Sequence, residues 1–148
     1  MSHFSKILLS LAILIPSVQL SGQTHQNWNL VFPTSETSEA QQHFLDGVTN
    51  MHLHMFEDAE RNFRRAQQLS PDFAMAYWGE ALNNQRTIWS IHRLDEARAV
   101  LNRLGATPAA RAAKAPTARE KAYLGAIEKL FGVGTQAERE LAYSEAMQ

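Results

Sequence analysis

Between Phe56 and Asn84, small and aromatic residues recur at helical spacing. Ala59, Phe63, Ala66 and Leu69 fall on one face of a helix. The small side chains at 59 and 66 allow a neighbouring helix to come close, and Phe63 fills the gap between them. Ser70-Pro71-Asp72 then stops the helix, because a proline disfavours helical geometry in the residue before it. Asp72 is placed to cap a following helix whose buried stripe is Phe73, Ala76, Tyr77 and Ala81. The pattern predicts a helix, a tight turn and an antiparallel helix.

The same alternation extends to both sides. Ser38 and Gln41 form a candidate capping box for a helix from about Glu39 to His54, with Phe44, Val48, Met51 and Met55 on one stripe. Its partner runs over residues 57–69. The next helix, about Phe73 to Arg86, repeats the first at an offset of 34 residues, so that Phe44 matches Trp78, Gly47 matches Ala81 and Ala40 matches Ala74. Leu94-Asp95-Glu96-Ala97 echoes Phe56-Glu57-Asp58-Ala59 at an offset of 38, which implies about four residues inserted around Thr87 to His92. Leu101 and Leu104 take the places of Phe63 and Ala66, and Gly105 ends that helix. Residues 106–116 read as an Ala/Pro-rich connector. Thr117 with Glu120 is the clearest capping box in the chain, opening a helix to about Phe131 that carries Ala122, Gly125, Ile127 and Leu130. A last helix starts near Gln136, with Leu141, Ala142 and Ala146.

The start of the chain differs. Lys6, the apolar run Ile7–Ile15 and the small residues up to Gly22 have the form of a secretory signal peptide cleaved near Gly22. The run is too short for a transmembrane helix, which needs about 20 residues; an uncleaved anchor is the rival reading. Residues 23–37 lack helical periodicity and read as an extended lead-in whose Trp28 and Phe32 pack onto the first helix. Residues 38–148 would form the helical repeat domain, in units of about 40–72, 73–108 and 117–148.

Composition narrows the chemistry. The 148 residues are 45% hydrophobic and 20% charged, which suits one compact domain. A formal charge of -1, or -2 once the leader and its lysine are removed, suggests neither nucleic acid nor an anionic membrane surface as partner. With no cysteine in the chain, disulfides, thiolate metal sites and a cysteine nucleophile are excluded. No HExxH, GxSxG or phosphate-cradling loop occurs, so no enzyme, cofactor or metal site is predicted. Two clusters remain. Met51-His52-Leu53-His54-Met55 holds two imidazoles and two thioethers, a set that suits Cu(I). On a helix, however, His52 and His54 point apart and do not share an ion unless the helix ends there. Arg86, Trp89, His92 and Arg93, around the inserted loop, combine cations with an aromatic, either as a recognition site or as a packed tryptophan with solvated arginines.

Gly47, Ala59, Phe63, Ala66 and Pro71, followed by Tyr77 and Ala81, resemble the tetratricopeptide repeat family, whose unit is about 34 residues long. The resemblance implies an all-α fold: three antiparallel helix pairs stacked as a short right-handed solenoid. It further implies a protein–protein interaction scaffold, secreted or periplasmic, that holds a peptide or partner protein on its concave face. Residue by residue, that face would comprise Phe44, Val48, Met51 and His52, then Met75, Trp78, Leu82, Gln85 and Arg86, then Arg119. Trp89, His92 and Arg93 form the separate loop site. Repeat arrays normally carry a terminal cap, and the last helix lacks one, so the chain is expected to be an N-terminal fragment of a longer solenoid or to self-associate through that helix. The other readings are a periplasmic metal-handling protein using Met51–Met55, a structural repeat segment of a larger assembly, and a small-molecule binder at Trp89 and Arg93.

Overall fold

The computed structural model of the chain describes residues 30–148; the expectations for the leader and for Trp28 lie outside them. The described residues fold as seven α-helices: α1 (Glu39–His52), α2 (Phe56–Leu69), α3 (Ala74–Leu82), α4 (Leu94–Leu104), α5 (Pro108–Ala112), α6 (Ala118–Leu130) and α7 (Gln136–Ala146). Neighbouring helices pack as pairs, and the described residues are all-α apart from one small hairpin. None of these helices is long and apolar enough to cross a membrane.

Glycine and phenylalanine set the contact between α1, α2 and α3. Phe63 of α2 is fully buried, and its ring lies against the backbone of Gly47 on α1 and of Gly79 on α3. A Cβ at either glycine would come within 2.7 Å and 2.3 Å of that ring, respectively. Ala59 and Ala66 flank Phe63 on the same buried face, as the spacing predicts, whereas Leu69 at the helix end is partly exposed.

Helix α3 is buried from Ala74 to Ala81 and packs against α1, α2, α4 and α6. A helix that is apolar on all sides must be enclosed, and AMAYWGEAL has a single charged residue, Glu80. Its carboxylate is 2% exposed and accepts hydrogen bonds from Arg64 Nε at 2.9 Å, Gln67 Nε2 at 2.6 Å and Arg103 at 2.5 Å. One acidic group thus joins α2, α3 and α4.

Several local expectations are corrected. α1 stops at His52 rather than His54, because His54 adopts a left-handed backbone (φ 62°). α3 stops at Leu82 rather than Arg86. Gln85–Arg86 (β1) pairs antiparallel with Ile91–His92 (β2) across a 3-10 turn over Thr87–Trp89, where Ser90 is also left-handed (φ 52°). Ser38 caps α1, but Gln41 does not complete a box; its amide reaches the lead-in instead. Asp72 caps nothing and pairs with Lys114 at 2.9 Å. The connector contains α5, started by the Thr107 cap and Pro108. Arg111 of α5 is buried, ion-paired with Glu128, and donates to the Gly105 carbonyl at 2.6 Å. Ala122 and Gly125 lie exposed on α6, whose buried residues include Leu124, Ala126, Ile127 and Leu130.

Capping boxes open both α6 (Thr117 with Glu120) and α7 (Thr135 with Glu138). Two arginines satisfy the carbonyls at the C-terminal end of α6. Arg98 donates to Phe131 O at 2.8 Å and to Gly132 O at 2.5 Å, and Arg139 to Leu130 O at 3.1 Å. Cations at a helix C-terminus also oppose its dipole.

Candidate functional site

The face expected to be an open groove is filled by the chain itself. The lead-in crosses α1, α3 and α6 without regular secondary structure, and Phe32 is its anchor. The Phe32 ring lies 5.3 Å from Phe44, 5.7 Å from Trp78 and 5.5 Å from Tyr123, centroid to centroid. The Arg119 guanidinium sits over the Phe32 ring at 4.8 Å and over Tyr123 at 5.2 Å, a cation–π arrangement. Side chains also hold the lead-in's backbone. Gln41 Nε2 donates to Phe32 O at 2.9 Å, and Arg119 to Pro33 O at 2.5 Å. Ser35 donates through both its N–H and its hydroxyl to Glu120 Oε1, each at 2.8 Å. Beside these rings the buried indole N–H of Trp78 has no hydrogen-bond partner among the described residues.

Two carboxylates fasten this segment. Glu36 is held down to about 2, foremost by the Ser70 hydroxyl and then by the hydroxyl and backbone N–H of Ser38 and the Thr37 N–H. For Glu120, burial pushes upward, but hydrogen bonds from Ser35 and Thr117 outweigh it and leave the carboxyl below its ordinary range. Both are carboxylates stabilised in the charged form by donors.

The expected concave set therefore divides in two. Phe44, Val48, Met75 and Trp78 are buried and belong to the core. Large apolar side chains between closely packed helices are enclosed by those helices, and Phe32 covers Phe44 and Trp78 from outside. Arg119 stays exposed and grips the lead-in. Met51, His52, Leu82, Gln85 and Arg86 lie elsewhere, where α1 and α3 end. They line one pocket of about 270 Å³ together with His54, Phe56, Thr87, Ile88 and Trp89.

That pocket joins the two clusters which the sequence separates. Trp89 lies edge-on to Phe56 (5.3 Å) and to His54 (4.9 Å), and Arg86 stacks over the Phe56 ring at 4.3 Å. The His52 ring nitrogen Nδ1 lies 2.8 Å from the Val48 carbonyl and donates to it. The early end of α1 brings His52 and His54 to one place, but nowhere among the described residues do three His, Asp or Glu side chains gather as a metal site. His92 turns away from this pocket to Gln136 and Glu140 of α7 (2.8 and 3.9 Å). Arg93 is exposed at the start of α4.

Sequence reasoning missed Tyr123, the second role of Glu120 and the groove role of Arg119 toward Phe32. It also missed Phe56 as a pocket wall and Glu80 as a hub. A signal existed for Glu80 alone: one acid in a helix otherwise apolar requires partners, and Arg64 and Gln67 precede it on the facing helix.

Comparison with known proteins finds no match among family models, curated proteins or solved structures.

Proposed function

We propose that this chain is a protein-interaction module of the tetratricopeptide-repeat kind, which holds an extended peptide on the face formed by α1, α3 and α6. These are the first helices of successive pairs, and α3 packs directly on both α1 and α6, as stacking in a short solenoid requires. The observation that carries the proposal is the lead-in. A segment that is neither helix nor strand lies on this face with an aromatic anchor between Phe44, Trp78 and Tyr123, and with its backbone carbonyls and N–H read by Gln41, Arg119 and Glu120. Backbone hydrogen bonds supply affinity without regard to sequence, and a side-chain pocket supplies selection. With the leader-like start of the sequence, the setting we propose is periplasmic or secreted, and the role is binding rather than catalysis.

The test uses the full chain and a labelled peptide of residues 30–37. In the natural chain the tethered segment competes at an effective concentration in the millimolar range. The peptide is therefore expected to bind a Phe32→Ala variant at least about tenfold more tightly than the natural chain, and a further Gln41→Ala change is expected to weaken that binding. A Phe32→Ala protein with native helix content that does not take up the peptide would refute the proposal.

A further inference from the structure

The pocket at the ends of α1 and α3 is separate from the peptide face and has its own chemistry. Its cation is Arg86, whose side chain is only 10% exposed. The guanidinium is stacked on Phe56, and its buried Nε has no hydrogen-bond partner among the described residues. Glu57, mostly in solvent, approaches the guanidinium at 3.6 Å, beyond hydrogen-bond length. A buried donor left unmade is costly, and a stacked guanidinium still has its in-plane donors to offer.

Half of the lining residues are apolar, and two of those are open to solvent. Ile88 is 75% and Trp89 49% exposed, and Met51 and Leu82 line the interior. Large apolar side chains held out by a short insertion mark a surface that meets something. Of the two described non-glycine residues with positive φ, His54 lies in the pocket lining and Ser90 follows Trp89 in the chain. Such backbone strain collects at ligand clamps. The volume of about 270 Å³ lies just below the usual range for small-molecule sites and suits one residue-sized group.

We infer that this pocket binds a monocarboxylate with a short apolar body, the carboxylate pairing with Arg86 and the body lying between Trp89, Ile88 and Met51. A cation is disfavoured by Arg86 itself, and a neutral ligand leaves the guanidinium only its longer pairing with the solvent-exposed Glu57. Two sources present this chemistry: a free aliphatic acid, or the terminal residue of a peptide ending in leucine.

Titration of the full chain followed by NMR, reading the Trp89 indole and Arg86 Nε signals, separates them. The probes are hexanoate, hexanamide, the tripeptide Gly-Gly-Leu and its C-terminal amide. Carboxylate binding is expected to exceed amide binding at least about tenfold, since charge-assisted pairs are roughly twice as strong as neutral ones. Binding of hexanoate assigns a free acid as ligand, and binding of Gly-Gly-Leu alone assigns a chain terminus. Trp89→Ala removes a half-exposed wall without touching the core and is expected to weaken either by about tenfold, whereas Arg86→Gln is expected to abolish the preference for acid over amide. Equal response to acid and amide, or no response to any probe by a folded protein, would overturn the inference.

Discussion

Two glycines inside helices give substitutions of opposite sign. Ala at either position removes the conformational freedom that glycine gives the unfolded chain, a gain of about 1 kcal/mol in a helix. At Gly125, exposed on α6, a Cβ meets nothing within 4 Å, so Gly125→Ala should show this gain alone. At Gly79 the new Cβ would lie 2.3 Å from Phe63 Cε1 and 2.6 Å from Cζ, where ordinary contact begins at 3.4 Å. The ring cannot withdraw toward α1, because Gly47 allows it the same close approach from the other side. Either α3 moves outward by about 1 Å or Phe63 leaves its rotamer. Overpacking of this kind costs about 1–3 kcal/mol, and with the ring backed on both sides the upper figure applies. The net result is a loss of about 2 kcal/mol for Gly79→Ala against a gain of about 1 kcal/mol for Gly125→Ala. Urea unfolding followed by circular dichroism measures both, and Phe63→Leu should recover part of the Gly79→Ala loss in a double-mutant cycle. Gly79→Ala matching or exceeding the natural chain in stability would refute the close contact of α2 and α3 at Phe63.

Two further outcomes follow from the charged groups. Glu80→Ala should cost about 2–3 kcal/mol in the same unfolding assay. Arg64 and Arg103 are half in solvent and rehydrate, but the Gln67 amide loses its shorter hydrogen bond within the core. Glu36 and Glu120 both have folded values below the ordinary 4.5. Each therefore contributes stability that is complete above that value and is lost as pH falls through the folded value, which for Glu36 is about 2. Attachment of residues 30–38 should weaken progressively from about pH 4.5 downward, read from their backbone NMR signals, and Glu36→Gln should flatten that dependence. Weakening on raising the pH instead would contradict the assigned hydrogen bonds.

Helix order and most of the core are legible in the sequence, because they depend on local period and on residue size. Ala59, Phe63 and Ala66 announce the α2 face, and Thr117 with Glu120 announces a helix start, since both partners lie within one turn. What escapes the sequence depends on pairings across the chain. Nothing within residues 30–37 says that Phe32 will meet Tyr123, ninety-odd positions away. The hairpin at Gln85–His92 has two residues on each side, too few for an alternating pattern to register. Just outside it, Asn84 accepts from the Arg93 N–H at 3.2 Å and closes the segment. The joining of the two clusters is likewise a pairing across the chain. Residues 51–56 and 82–89 become one pocket only once α1 has ended two residues before its apolar and helix-forming run does.

The enclosure of α3 bears on how the molecule comes apart. In a stack of repeats each unit is held only by its neighbours, and α3, in the middle pair, is held from both sides. Here one nine-residue helix is shared by α1, α2, α4 and α6, so no outer pair can leave without uncovering it. Its amide protons, Tyr77 to Ala81 above all, should exchange with deuterium only through complete unfolding, at the slowest rate in the chain. Those of α7, none of whose residues is buried, should exchange through local opening.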